Sequence, residues 1–335
     1  MFPRRILLFS TAIVAAALVL VWAVVSFANL ERSVVAMPPV LRADPNTGPF
    51  RGLGAWIDIF DETSWKRPRV TVARLASYGV HTLYLQTSNN SQKRTIVKRR
   101  GVTAFLDAAH AAGIEVVAWY LPGFVDTSLD LARADAAIGF RTAAGNSFDG
   151  FGLDIESPDV RDARLRTARL LQLSDQIRAY AGEHYALGAI IPSPDGMTVN
   201  PGYWPEFPYQ ELALRYDAFL PMAYFTWRDK AKIGAGGYID SNLQILRKAV
   251  GSDAVPIQMI GGIAQDAQMY GVRGFVRAVQ GGGVIGESLY SYPGVTSAMW
   301  SELAKVVSPA PTLAPTPAPT PAPTLGASSS PAKSP

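Results

Sequence analysis

The 335-residue sequence contains no cysteine, which excludes a disulfide scaffold, thiolate metal centres and cysteine nucleophiles together. Histidine is nearly as scarce. The three present, His81, His110 and His184, do not pair at a metal-ligand spacing, so neither a zinc site nor a histidine-based triad is expected. Charged residues make up 17% of the chain and the formal net charge is +4, which is too little for an extended nucleic-acid surface. The densest basic stretch, QKRTIVKRR at 92–100, reads as a solvated loop running into a helix, with no nucleic-acid motif beside it. A dinucleotide fingerprint is also missing: GLGAW at 52–56 only imitates one inside an apolar run, and no cofactor is expected. Asp58, Asp61 and Asn89 are oxygen donors that could meet in space, but no motif joins them and no metal is expected.

What the sequence has in quantity is apolar residues, 48% of the total, enough for one large core. They begin early. Arg4 and Arg5 precede an apolar run from Ile6 to Val25, long enough to span a bilayer and flanked as a cytoplasmic end would be. Ser26–Ala28 resembles a small-residue cleavage site, so residues 1–30 read as a retained anchor or a signal peptide, the anchor favoured by the length of the run. Either reading places the rest of the chain outside a membrane, tethered or secreted. Residues 31–50 read as a linker. From 308 to 335 the chain is a Pro/Ala/Thr repeat with too few apolar residues to pack, expected to be a disordered, extended tail. Its alternating Thr and Pro suit O-glycosylation, a wall-spanning spacer or a solubilising tail.

Between them, residues 51–307 repeat one pattern. Eight short apolar runs, at 52–60, 81–88, 115–123, 150–157, 186–194, 218–227, 255–263 and 283–292, alternate with amphipathic stretches, several ending on glycine. Eight strand–helix alternations in this length point to a closed (β/α)8 TIM barrel, an α/β fold. The fifth crossover, NPGYWPEFPYQELALRYD at 200–217, is Pro-flanked and short in helix, which suits a binding loop.

In such barrels chemistry gathers at the C-terminal strand ends. The polar and aromatic residues there are Asp58, Gln86, Trp119, Tyr120, Asp154, Glu156, Tyr224, Trp227, Gln258, Glu287 and Tyr290. Asp61 and Asp195 read as cap or turn residues. Carboxylates among Trp and Tyr suit sugars, since acids protonate a glycosidic oxygen and flat rings cover pyranose faces. Asp154 and Glu156 stand out because they sit inside an apolar strand two residues apart, on one face, where an ionised pair is costly to bury.

FDGFGLDIES, 148–157, resembles the fourth-strand signature D-G-x-D-x-D-x-E of family 18 glycoside hydrolases, the chitinase-like barrels, through Asp149, Gly150, Asp154 and Glu156. PMAYF, 221–225, resembles that family's M-x-Y-D through Met222 and Tyr224. The resemblance implies that Glu156 is the general acid/base, that Asp154 orients a substrate N-acetyl group and that Tyr224 bonds that group's carbonyl. It implies a polysaccharide or peptidoglycan-type partner. The sequence departs from the pattern at Gly152, in place of the middle aspartate, at Phe225, in place of the aspartate after the tyrosine, and at Glu287, near where a sugar-stacking tryptophan is expected. LDIE also resembles the D-x-E pair of family 25 muramidases. Two alternatives remain beside substrate-assisted hydrolysis. One pairs Asp154 with Glu287 or Asp58 in a two-carboxylate glycosidase, and the other is a carbohydrate-binding barrel without catalysis.

Overall fold

Side-chain alternation along parallel strands decides what fills a barrel and what faces its helices. The computed structural model describes residues 41–227 and 234–306; the apolar N-terminal segment and the Pro/Ala/Thr tail lie outside the described residues. Among the described residues no helix is long and apolar enough to cross a membrane.

Eight strands close into a parallel barrel in sequence order: β1 (Gly52–Ile57), β2 (Thr82–Asn89), β3 (Glu115–Leu121), β4 (Gly150–Asp154), β5 (Ala186–Pro192), β6 (Ala218–Met222), β7 (Gln258–Ile263) and β8 (Gly286–Tyr290). Each falls on one of the eight apolar runs, β2 extending one residue past the end of its run, and the expected (β/α)8 architecture is the one observed. The helices are α1 (Glu62–Lys66), α2 (Pro68–Ser77), α3 (Arg99–Ala111), α4 (Thr127–Ile138), α5 (Ala163–Ala181), α6 (Pro194–Val199), α7 (Tyr209–Ala213), α8 (Gly234–Val250), α9 (Met269–Gly281) and α10 (Ser297–Leu303). The seam between β6 and β7 is thin, made of the ladder pair Met222–Ile260 and the bridge Phe219–Ile257.

The interior is filled mainly by rings. Trp56 stacks on Tyr84 with centroids 4.1 Å apart, and Trp119 meets Trp56 edge-on at 5.8 Å. Trp56 Nε1 donates to Ser288 Oγ at 2.8 Å, and Gln258 Nε2 donates to the same oxygen at 2.9 Å. The stack leaves no space for a side chain beneath it: a Cβ on Gly54 would stand 2.7 Å from the Tyr84 ring. Phe50, fully buried at the end of the short turn Gly48–Phe50, closes the floor. Gly188 makes room for it, since a Cβ there would lie 2.8 Å from the Phe50 ring.

Residues 41–50, read from sequence as linker, therefore belong to the packed structure. Arg42 fixes them further, donating to Asp217 Oδ1 at 3.0 Å. The other Asp217 oxygen accepts from Arg178 at 2.7 Å and from the Leu187 amide at 2.8 Å. A buried carboxylate is tolerated when its charge and lone pairs are matched in this way.

The same alternation moves four expected site residues away from the barrel mouth. Tyr120 points outward, where its hydroxyl donates to Asp130 and accepts from Arg133 at 3.0 Å. Asp149 precedes β4 at the floor end, accepting from the Val116 amide at 2.7 Å and bonded to His110 Nε2 at 2.9 Å. Gln258 opens β7 and is sealed beneath the aromatic stack. Glu287 pairs in register with Leu53 and Met259 of the outer layer, so its carboxyl faces the helices, and burial pushes its pKa to about 8. For Tyr120, Gln258 and Glu287 strand membership was readable, but depth along the strand and inward or outward facing were not; Asp149 lies just before its strand begins.

Two measurements test this packing. Phe50→Ala is expected to destabilise the barrel by about 3–5 kcal/mol in denaturant unfolding, the usual cost of emptying a buried phenylalanine site. Glu287 binds a proton more tightly folded than unfolded, so it costs stability as pH rises from its ordinary 4.5 to about 8. Glu287→Gln is expected to match the parent near pH 4 and to melt progressively higher than it up to pH 8.

Candidate active site

The site grows out of the end of β4. The strand finishes at Asp154, short of Glu156, but the Ile155 amide still donates to the Ile190 carbonyl at 2.8 Å, which carries the alternation one residue further. Ile155 is buried in the outer layer, and Glu156 returns to the mouth. Sequence alternation thus places both carboxyls on the same side although only one belongs to the strand.

Asp154 is buried with Oδ1 unpartnered among the described residues. Its pKa is held well above the usual carboxylate value, first by burial and then by the charge of Glu156. Burial also raises Glu156. Two nearby carboxyls in a dry site cannot both ionise cheaply, so the pair retains a proton into a pH range where free carboxylates have lost theirs.

Tyr224, just past β6, and Tyr290, ending β8, stand over this pair. The Tyr224 hydroxyl is pushed up by burial and then by the charges of Asp154, Tyr290 and Glu156, which places these groups within electrostatic reach of one another. Tyr290 packs 6.1 Å from Tyr224 and 6.4 Å from Trp56, centroid to centroid. Its hydroxyl donates to Asp58 Oδ2 at 3.0 Å. Asp58 Oδ1 accepts from the Phe60 and Asp61 amides at 2.7 and 3.0 Å, so Asp58 shapes the β1–α1 loop and steadies Tyr290. Gln86 serves the same loop, accepting from the Ile59 amide at 3.0 Å. Asp61 caps α1 through the Ser64 amide at 3.1 Å, as its sequence context predicts.

A pocket of about 440 Å³ opens beside Glu156. Met222, Tyr224 and Trp227 form one wall, and Trp227, 71% exposed, meets Tyr224 edge-on at 4.9 Å. The opposite wall is the β5–β6 crossover: Ser193, Asn200 and Tyr203. Tyr203 donates its hydroxyl to the Glu156 carbonyl, and burial, with the charge of Glu156, pushes its pKa to about 12. The sequence marked this crossover as a binding loop without singling out Tyr203. No motif surrounds it; only the contact with Glu156 reveals it.

Two of the three sequence departures, Gly152 and Phe225, have physical causes. A Cβ on Gly152 would lie 2.9 Å from Ile190 Cδ1 and 3.6 Å from Trp119 Cβ, so the space a third carboxylate would need is already filled, and Trp119 sits inside the barrel below the mouth. Phe225 is buried against Gly262, Gly271 and Phe275 in the outer layer, where a carboxylate would be stranded. Among the described residues, no group of three or more acidic or histidine side chains is gathered as a metal ion would require.

No family model matches the chain, and no curated protein matches it. Solved structures do share its fold. The PgaB (BpsB) glycoside hydrolase domain from Bordetella bronchiseptica is 12% identical, aligning over 78% of this chain and 99% of that one with a TM-score of 0.54. The endo-1,4-β-mannanase from Rhizomucor miehei is 10% identical over 79% and 97%, TM-score 0.59. A chitinase from Bacteroides thetaiotaomicron is 10% identical over 77% and 95%, TM-score 0.54. The barrel is the kind found in these glycoside hydrolases.

The raised Asp154 pKa has a measurable sign. A carboxyl that holds its proton more tightly folded than unfolded costs stability as pH rises above its ordinary value of 3.8. Asp154→Asn is therefore expected to melt with the parent near pH 3.5 and above it at neutral pH, the gap widening with pH in a thermal-shift series.

Proposed function

We propose that this chain is an exported glycoside hydrolase that cuts a cell-envelope or extracellular polysaccharide, with Glu156 as general acid/base and Asp154 as its partner. The observation that carries the proposal is the pair of a buried Asp154 and a half-buried Glu156 at the mouth, both pKa values raised, beside a pocket walled by Tyr224 and Trp227.

Glu156, protonated, gives its proton to the glycosidic oxygen as the bond from the anomeric carbon to that oxygen breaks. Following the family resemblance, the electron deficiency at the anomeric carbon is met by the carbonyl oxygen of the sugar's own N-acetyl group. With the proton that the pair shares on Glu156, Asp154 accepts a hydrogen bond from that group's N–H, and Tyr224 donates to its carbonyl. Glu156, now ionised, then takes a proton from the water that attacks the anomeric carbon and opens the cyclic intermediate. The protein supplies no second carboxylate as nucleophile in this route. That agrees with the outward face of Glu287 and with Asp58 being held by Tyr290 and two loop amides.

A second reading, a glycan-binding barrel without turnover, is favoured by one observation: Ile190 and Trp119 occupy the space over Gly152, which removes the third carboxylate of the family pattern. Tethering through residues 1–30 and the outside placement of the barrel belong to the proposal on sequence grounds.

The test is product release by the full chain from chitin oligomers, peptidoglycan, galactosamine-rich polymers and neutral polysaccharides. Glu156→Gln is expected to lower kcat by about 10²–10⁴-fold, the range of general acid–base catalysis. Because Glu156 must enter the reaction protonated, the basic limb of kcat/KM is expected above the ordinary glutamate value. Cleavage undiminished in Glu156→Gln excludes Glu156 as the acid; retention of a glycan without product by both proteins establishes the binding barrel instead.

A further inference from the structure

The basic stretch at 92–100 finds a defined place in the fold. It forms the β2–α3 loop and the first turn of α3, and therefore lies at the mouth end of the barrel. The loop is fixed. The Val97 amide donates to the Thr87 carbonyl at 2.9 Å, Ser88 Oγ donates to the Arg94 carbonyl at 2.8 Å, Arg133 donates to the Gln92 carbonyl, and Ile96 is buried. From this support Arg94, Arg99 and Arg100 project outward, exposed.

Beside them is a groove of about 760 Å³ between the loop and α1, lined by Trp65, Lys66, Arg94, Lys98, Arg99 and Arg100, with one acid, Glu62. Glu62 is already engaged by Lys98 at 3.3 Å and Lys66 at 3.8 Å. Arg99 lies over Phe140 at 4.6 Å, and Arg94, Arg99 and Arg100 meet no carboxylate among the described residues. The location makes this charge costly. The first turn of α3 has no acidic residue yet carries Arg99 and Arg100 at the positive end of the helix dipole, where cations are disfavoured. Apart from the Arg99–Phe140 contact, fold stability does not account for the cluster.

The groove shares no lining residue with the Glu156 pocket, but a chain of contacts through the barrel mouth lies between them. Trp65 Nε1 donates to the Asp58 carbonyl at 2.7 Å, Asp58 accepts from Tyr290, and Tyr290 packs on Tyr224 in the pocket wall. We infer that the Arg94/Arg99/Arg100 groove is a binding shelf for an anionic glycan, a polysaccharide carrying carboxylates or phosphodiesters at intervals, whose neutral residues reach the Glu156 pocket across Tyr290. The shelf engages charge away from the cut bond, so the acidic centre itself meets no anion. The inference rests on the glycan-active reading above and deepens it to a substrate class.

The experiment measures retention of the full chain, carrying Glu156→Gln to prevent turnover, on immobilised polygalacturonate, on a polyglycerol-phosphate polymer and on neutral dextran, with phosphatidylglycerol vesicles as a further arm. Arg94→Gln/Arg99→Gln/Arg100→Gln is compared in the same background. At least one anionic polymer is expected to be held over dextran, with affinity falling on addition of salt and about tenfold in the triple variant, the sum of three exposed charge contacts. The uronate and phosphate arms identify which anion is read. The triple variant is also expected to melt close to its parent, since the repulsion relieved at α3 offsets the lost Arg99–Phe140 contact. Equal affinity of the triple variant and its parent, no preference for anionic polymers over dextran, or retention by vesicles alone overturns the shelf. Anionic retention in a protein whose Glu156 form cuts nothing keeps the shelf and removes only the proposed hydrolysis.

Discussion

The stack of Trp56 on Tyr84 inside the closed sheet is the contact on which the rest of the structure depends. A parallel eight-stranded barrel must be filled from within. Here the filling is aromatic and runs upward from Phe50 through Tyr84, Trp56 and Trp119 to Tyr290 and Tyr224. Glycines at 54, 152 and 188 yield their side-chain space to this column and to the apolar residues packed beside it. The column brings a water-poor environment almost to the mouth, and β4 delivers Asp154 and Glu156 to its upper edge.

That position explains the electrostatics. The same carboxyls on an exposed loop would titrate as ordinary acids. At the rim of an apolar column, burial raises both, and the charge of Glu156 adds to the burial of Asp154. The surrounding polar groups divide the labour: Asp58 holds Tyr290, Tyr203 holds the carbonyl of Glu156, and Gln86 holds the loop that carries Asp58. Tyr203 and Glu156 line the pocket themselves, while Asp58 and Gln86 act one layer back, through Tyr290 and the β1–α1 loop.

Much of this was legible in the sequence because strand order, helix alternation and mouth-end placement follow from periodicity. Asp154, Glu156, Tyr224, Trp227, Met222 and Tyr290 come together as strand-end residues should. The failures share one cause. Tyr120, Glu287 and Gln258 lie in the right runs, but a shift of one residue turns a side chain to the helices, and a few residues along the strand sink it below the mouth. Asp149 matched a motif whose first position lies at the floor. Tyr203 escaped notice because crossover residues have no period to betray them, and residues 41–50 looked like linker because one buried phenylalanine and one arginine carry most of their attachment.

The doubly clamped carboxylate at Asp217 also gives the barrel a mechanical polarity. Arg42 and Arg178 grip its two oxygens, and Phe50 is seated in the floor close behind Arg42 in the chain. A pull applied ahead of Leu41 is therefore taken up by a buried ion pair and a ring at the end opposite the mouth. The load passes into the bases of β5 and β6 through Leu187 and Asp217, leaving the loops that hold Glu156, Tyr224 and Tyr290 out of its path. A load entering from the N-terminal side would leave the mouth undistorted and facing away from the end that bears it.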